Sequence, residues 1–315
     1  MHSVLIAVPT LGVRPLTSLL GELSRQAAEV GPQYAAEIVL LDNSADGIVR
    51  LDDSADGFVD GSEAAAAHGA HYRRVTRRGY SQVRNAALDM AAEYDVLIFI
   101  DDDEVPLGGW LQAHLQGAER YGADVVLGPV RAVVPPGSPR WLAGGSTLRC
   151  EDFPSDGPMG RGVVPLTNNT LVRMATVQKI ELRFEEDFDL FGGEDVVFFS
   201  KMAAAGARIV TIGAARVIEF QDPDRLTLKG LMRREYRFGV GTVSVERALQ
   251  KKWGYLIVRR SAKMARGVAR IIGGVTVFRP STAALGVKDV AFAWGWCTTL
   301  FGYLSDPGMR SRLRA

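Results

Sequence analysis

Cysteine is nearly absent. Two thiols in 315 residues, Cys150 and Cys297, cannot build a disulfide framework. They also lack metal-type spacing, so a zinc site is excluded and a reducing compartment is expected. Histidine is scarce as well, with four residues and none after His114. No apolar run reaches the ~20 residues needed to span a bilayer; the uncharged stretch from Val290 to Ser305 has 16. Met1-His2-Ser3 carries no basic region and the apolar stretch behind it stops at Pro9, so no signal peptide is expected. No glycine-rich loop bearing Arg or Lys follows that first apolar run, which leaves a nucleotidyltransferase reading without support.

What is present is an ordinary globular balance, 47% hydrophobic and 23% charged, in a length that suits one large domain or two ordinary ones. The net charge of +1 conceals an asymmetry. Residues 1–220 carry 19 Lys and Arg against 30 Asp and Glu, a balance of −11, and residues 221–315 carry 18 against 6, a balance of +12. An acidic part that binds a phosphorylated ligand needs a metal or local arginines, and a basic part suits an anionic partner.

Short apolar runs alternate with helical patterns. Val4–Val8, Ile38–Leu41, Tyr72–Val75, Asp95–Ile100, Val125–Gly128 and Arg208–Ile212 read as strands, and residues 15–29, Ser81–Ala92, Trp110–Tyr121 and Glu194–Ala205 as helices. The alternation predicts an α/β domain with a mainly parallel sheet flanked by helices. Residues 135–162, rich in Pro, Gly and Ser, predict a long functional loop. The run Val96–Ile100 ends in Asp101, Asp102 and Asp103. That order puts a carboxylate cluster at the carboxyl edge of the sheet, where α/β proteins bind ligands. Carboxylates so spaced can share a hard cation such as Mg²⁺ or Mn²⁺, which takes its other ligands from water and substrate phosphates. Glu104 is expected to be a solvated neighbour.

Past residue 222 the pattern is helical. Arg225, Lys229, Arg233 and Arg237 recur every four residues on one helix face; Arg259, Arg260, Lys263, Arg266 and Arg270 share another. Like charges at that spacing repel, so these faces predict either contact with an anionic membrane surface or packing against the acidic part of the chain. The boundary drawn from these patterns is a domain at 1–220 and a helical basic region at 221–315.

Four motifs together resemble the family 2 inverting glycosyltransferases of GT-A fold, over about residues 3–240. They are Val8-Pro9-Thr10; Leu41-Asp42-Asn43-Ser44; Gly79-Tyr80-Ser81-Gln82-Val83-Arg84-Asn85-Ala86 followed by Phe99-Ile100-Asp101-Asp102-Asp103; and Gly192-Gly193-Glu194-Asp195 heading a helix. The resemblance implies a Rossmann-like GT-A domain with a helical basic extension. It also implies a hexosyltransferase-type activity: metal-dependent transfer of a sugar from a nucleotide sugar, UDP-linked, to an acceptor hydroxyl, in polysaccharide, glycolipid or other glycoconjugate synthesis. Pro9, Thr10, Asp42 and Asn43 would hold the base and ribose, with Asp42 accepting the uracil imide. Arg84 and Asn85 would lie near the diphosphate. Asp101 would touch the ribose and Asp103, with Asp101, would bind Mn²⁺ or Mg²⁺; Asp102, between them, counts among the nucleotide-sugar residues. Asp195 would be the general base and Glu194 would bind or orient the acceptor, although the two roles can be exchanged. Asn168 and Asn169 resemble the family's segment near the sugar and are assigned to the acceptor side, as is Trp141, which follows the Pro-rich stretch and either stacks on a sugar face or belongs to the core.

One departure stands out. Relatives carry a His after the strand that follows the Glu-Asp helix, and this chain has Val217-Ile218-Glu219-Phe220 there. Glu219 either replaces that His in the metal shell or is structural. The expected partners are a nucleotide-sugar donor, a saccharide, lipid-linked or small-molecule acceptor, and an anionic membrane surface, with no nucleic acid. The expected location is the cytoplasm, peripheral to the inner face of the cell membrane. The competing reading is a catalytically inactive relative recruited to membranes; the complete carboxylate sets argue against it.

Overall fold

In a computed structural model, residues 1–52, 54, 57–142, 155–160, 162–189, 192–221 and 223–305 are described. Of the expected loop at 135–162, residues 143–154 and 161 lie outside the described residues. The chain divides into two compact units. The first comprises Met1–Arg131, Glu151–Leu190 and Glu194–Phe220; the second comprises Ala132–Cys150, Phe191–Gly193 and Gln221–Ala315.

The first unit is built on an eight-stranded sheet. Its order is Gly157–Pro158, Ile209–Thr211, Val125–Leu127, Thr170–Arg173, Val96–Phe99, His2–Thr10, Tyr34–Asp42 and His71–Arg74. His2–Thr10 runs parallel to both Tyr34–Asp42 and Val96–Phe99, in a register that sets Thr10 beside Asp42 and Ala7 beside Phe99. The strand Thr170–Arg173 runs antiparallel to both its neighbours. Residues such as Val4–Val8, Leu40 and Ile98 are fully buried, because a sheet covered on both faces needs apolar side chains in both directions. Helices α1 (Thr17–Glu29), α2 (Gly61–Ala67), α3 (Tyr80–Met90), α4 (Trp110–Tyr121), α5 (Met174–Lys179) and α6 (Glu194–Ala204) belong to this unit. One apolar cluster gathers α1 and α4, and the other gathers α3, Phe184 and α6. A separate antiparallel pairing sets Glu104–Pro106 against Val217–Phe220, with Glu219 opposite Glu104.

The second unit is mainly three long helices: α7 (Leu228–Ala248), α8 (Trp253–Thr276) and α9 (Pro280–Ser305). Helix α9 packs against both α7 and α8. The packed faces are small: a Cβ on Gly267 or Gly274 of α8 would run into the backbone of α9, and one on Gly239 of α7 likewise. One buried ion pair and a partly exposed cluster tie the three helices together. Glu246 of α7 holds Arg260 of α8 and accepts the indole N–H of Trp296 at 2.6 Å. Asp289 of α9 takes Lys263 at 2.9 Å, Arg266 at 3.1 Å and Arg270 at 2.8 Å.

Candidate active site

Leu97, Ile98, Phe99 and Ile100 are fully buried or nearly so, and the strand they form delivers Asp101, Asp102 and Asp103 to the carboxyl edge of the sheet. Thr10, arriving on the neighbouring strand, donates its hydroxyl to Asp102 at 2.7 Å and accepts the Gly12 N–H at 2.9 Å. Arg14 lies 3.3 Å from Asp103. Phe220 N–H donates to the Asp103 carbonyl at 2.8 Å, which draws the Glu219 strand beside the cluster.

Glu104 is not the solvated neighbour expected. It is fully buried, accepts from Asn168 Nδ2 at 3.0 Å and caps the Asp101 N–H at 3.2 Å. Its burial follows from pairing with the distant Val217–Phe220 strand, which nothing in the local sequence announces. Glu219, 7% exposed, belongs to the same acidic group rather than standing apart.

The electrostatics of this group are strained. Burial, with the Asp101 and Glu219 charges, pushes Asp103 up to about 7 against the opposing pull of Arg14. Burial raises Asp102 to about 6 despite its Thr10 hydrogen bond. Glu104 is raised well above the carboxylate range by burial and then by Asp101 and Asp103. Carboxylates held together out of water favour their neutral forms unless positive charge is supplied. Among the described residues no three His, Cys, Asp or Glu side chains converge closely enough to hold a metal ion as they stand. The donor set is still right for a hard divalent cation: oxygen ligands only, with more negative charge than Arg14 offsets.

The nucleotide-side residues are more tied down than the motifs suggested. Asp42 has no exposed surface; its oxygens accept Ser44 N–H at 2.7 Å and Tyr72 O–H at 2.8 Å. It therefore does not face a base in this structure. Asn43 donates to the Val75 and Arg77 carbonyls at 2.7 and 3.0 Å and accepts Gly79 N–H, so it orders the segment before α3. Pro9 sits half-buried beside Leu41.

The Gly79–Ala86 motif makes its contacts within the chain. Asn85 donates to and accepts from the backbone of Phe184 at 2.9 Å each way, which leaves its amide one further N–H. Ser81 donates to the Glu185 carbonyl at 2.6 Å. Asp189 caps α3 from 108 residues away, accepting Ser81 N–H at 2.8 Å and Gln82 Nε2 at 2.9 Å. Gly79 has φ +151°, and a Cβ there would overlap the Asp189 carboxylate. The first turn of α3 is thus a clamp on residues 184–189, the segment that leads towards Glu194 and Asp195.

Arg84 completes the clamp. It is 9% exposed and forms an ion pair with Glu194, itself 2% exposed, so its guanidinium is not turned to a phosphate. Glu194, likewise, is not open to an acceptor. Asp195 beside it is half-exposed at the N-terminus of α6, and Val196 N–H donates to its Oδ1 at 2.7 Å.

The acceptor-side residues separate. Asn169 is fully buried with φ +54°. Its Oδ1 accepts from Trp110 Nε1 at 2.6 Å and from His114 Nε2 at 2.9 Å, and its Nδ2 donates to the Pro129 and Ala215 carbonyls. Burial lowers the His114 pKa to about 4, which keeps that ring neutral. Asn169 therefore ties together the core around Trp110 and His114. Asn168 faces the acidic group through Glu104. Trp141 is half-buried in the second unit, on a short turn, Arg140–Leu142, that packs on α9.

Comparison with known proteins accords with this architecture. The model of the family described as "Glycosyl transferase family 2" matches residues 20–161. The succinoglycan biosynthesis protein ExoM of Rhizobium meliloti is 32% identical over 237 residues, covering 73% of this chain and 72% of that protein. Among solved structures, S. aureus TarS residues 1–349 in complex with UDP-GlcNAc superposes with TM-score 0.53 at 15% identity, over 96% of this chain and 92% of that one. The same TarS fragment with UDP gives 0.51 at 17% identity. Against a longer TarS chain the match covers 76% of this chain and 40% of that one, with TM-score 0.51. At those identities TarS speaks for the fold, and ExoM, similar along most of both chains, speaks for the family. The chain belongs to the family 2 glycosyltransferases and is a glycosyltransferase of GT-A fold.

Proposed function

We propose that the protein transfers a sugar from a UDP-sugar to an acceptor hydroxyl with inversion, in the assembly of a polysaccharide or other glycoconjugate. The observation that carries this reading is the acidic group Asp101, Asp103, Glu104 and Glu219 at the sheet edge, in which Glu104 and Glu219 are buried, Asp101 and Asp103 are half-buried, and Arg14 lies 3.3 Å from Asp103. Such a group would suit a divalent cation, whose positive charge would offset these carboxylates. Asp103 and Asp101 would hold Mn²⁺ or Mg²⁺, with Glu219 adjacent. When bound, the cation offsets the charge that develops on the leaving nucleoside diphosphate.

Every other role belongs to the chain. Thr10 and Asp102 line the edge where the ribose would lie. Asp195 takes the proton of the acceptor hydroxyl while that oxygen bonds to the anomeric carbon, and the C–O bond to UDP breaks on the opposite face with its electron pair leaving on the diphosphate. Val196 N–H fixes the orientation of the Asp195 carboxylate, and the Arg84–Glu194 pair braces α6 beneath it. The relatives support the reading: a succinoglycan biosynthesis protein, and structural neighbours crystallised with UDP and UDP-GlcNAc. The acceptor is a saccharide, lipid-linked or small-molecule. The protein is cytoplasmic, held peripherally at the inner face of the cell membrane; no helix among the described residues is long and apolar enough to cross one.

A hydrolysis screen of nucleotide sugars with Mn²⁺, Mg²⁺ and EDTA tests the proposal. Cation-dependent release of UDP from at least one UDP-sugar is expected. Cation-independent turnover, or turnover of another nucleotide only, overturns the metal or the donor assignment respectively.

A further inference from the structure

Helix α8 is inside-out for a helix in water. Its inward side is narrow and small: Leu256, Arg260, Gly267 and Gly274 are buried. Its outward side carries the large apolar residues, with exposures of 48% at Ile257, 69% at Val258, 45% at Val268, 60% at Ile272 and 63% at Val275. Ser261, Ala262, Ala265, Ala269 and Thr276 fill the same side, all exposed, so the stripe runs the length of the helix with no charge on it. A water-facing helix shows the reverse arrangement.

The charge around the stripe has one sign. Residues 247–288 contain ten Lys and Arg and no Asp or Glu. The basic side chains expected to face an anionic partner are partly turned inward: Arg260 onto Glu246, and Lys263, Arg266 and Arg270 onto Asp289. Lys251, Lys252, Arg259 and Arg279 remain on exposed positions at the ends and flank of α8, and Arg266 keeps 55% of its side-chain surface.

We propose that α8 is the membrane-docking element: its outward stripe, centred on Val258, Val268 and Ile272, embeds among the acyl chains of an anionic bilayer, with Arg259 and Arg266 at the phosphate level. This rests on the peripheral-membrane part of the proposed function and deepens it. It also changes the expected mode of attachment, because basic residues flank the contact and apolar ones make it. An amphipathic helix of this kind lies in the interface plane, in keeping with the absence of a spanning helix among the described residues. Charge complementarity selects the occupant. A second copy meeting this face symmetrically would set Arg259 and Arg266 near their own counterparts with no acidic residue on α8 to offset them, whereas anionic headgroups neutralise them.

The test is co-sedimentation of the full chain with vesicles of phosphatidylcholine alone or mixed with phosphatidylglycerol, in low and in 1 M salt. The variants are Val258→Asp/Ile272→Asp and the milder Val258→Ser/Ile272→Ser; thermal melting and UDP binding serve as fold controls. Wild type is expected to bind the mixed vesicles and to keep part of that binding in 1 M salt, since buried apolar surface is not screened. The aspartate pair should lower partitioning by at least about tenfold, and the serine pair by less, with unchanged melting. If wild type binds and both variants bind equally, α8 is not the docking element, while peripheral association stands on another surface. If wild type binds no vesicle at all, the membrane reading fails as well. A wild-type dimer that the aspartate pair dissociates, without vesicle binding, makes the occupant a second copy and overturns the inference.

Discussion

Replacing Arg84 with Met isolates what the Gly79–Ala86 motif does. Glu194 is 2% exposed, and its Oε2 makes no hydrogen bond among the described residues, so Arg84 supplies its counter-charge. Breaking a buried pair by removing one partner costs about 3–5 kcal/mol, because a charge is left out of water without compensation. The Tyr80 ring, 5.8 Å from the guanidinium carbon, adds about 0.5–1 kcal/mol to the loss. Glu194→Met strands the guanidinium instead and should cost a similar amount. Arg84→Met/Glu194→Met removes both charges and restores an apolar contact between α3 and α6, and such replacements are often neutral or stabilising. The double variant should therefore be much less destabilised than the sum of the singles, with a coupling of at least about 3 kcal/mol. Urea unfolding followed by circular dichroism measures all four proteins, and calorimetry with UDP runs in parallel. Single costs that sum to the double within about 0.5 kcal/mol would refute the pairing. Unchanged stability with weakened UDP binding in Arg84→Met would make Arg84 a phosphate ligand.

Three further outcomes follow from the geometry. Asp195→Asn keeps the shape of the carboxylate and loses the proton acceptor; steady-state kinetics should show turnover reduced by ~10²–10⁴-fold with donor affinity near normal, and full activity in this variant would remove Asp195 from the role of base. Asn169→Ala strands the Trp110 and His114 donors and two carbonyls; at about 1–3 kcal/mol per unsatisfied buried group, thermal melting should show severe destabilisation, whereas a shift in acceptor KM alone would return Asn169 to the acceptor site. The metal-free protein should lose stability as pH rises. Asp102 and Asp103, raised to about 6 and about 7, bind more protons folded than unfolded between the ordinary carboxylate range and those values, so stability declines through that window. Melting temperatures in EDTA from pH 4 to 8 check the sign, and Mn²⁺ should reverse the decline; a melting temperature that climbs through the window contradicts it.

The sequence makes some features of this protein plain and hides others for identifiable reasons. Val96–Ile100 is legible as a buried strand because it is an unbroken apolar run, and its position puts the three aspartates at the sheet edge without ambiguity. Helix α4 is legible to its ends, since Gly122 stops it in a left-handed conformation, φ +53°. Thr170–Arg173 is too short and too polar in its surroundings to announce itself, and its antiparallel insertion is decided by the neighbours it joins. The acidic group was half visible. Asp101–Asp103 stand together in sequence, whereas Glu104 and Glu219 meet only through strand pairing and Arg14 reaches Asp103 from a loop after Thr10. The α3 motif is legible as a motif, whereas its contacts with residues 184–189 and Glu194 are not, because those partners come about a hundred residues later. The basic residues of α8 are legible as one face; which side of the helix meets α9 depends on Gly267, Gly274 and Asp289, which the local sequence does not announce.

The most direct test of the central claim is calorimetry of UDP binding to wild type and to Asp103→Ala, each with Mn²⁺ and with EDTA. The account predicts that UDP binds wild type only or far more tightly with Mn²⁺, and that Asp103→Ala, still folded by circular dichroism, loses the cation-dependent part. Equal UDP affinity in all four combinations would contradict a cation at the Asp101–Asp103 edge, and with it the proposed mechanism.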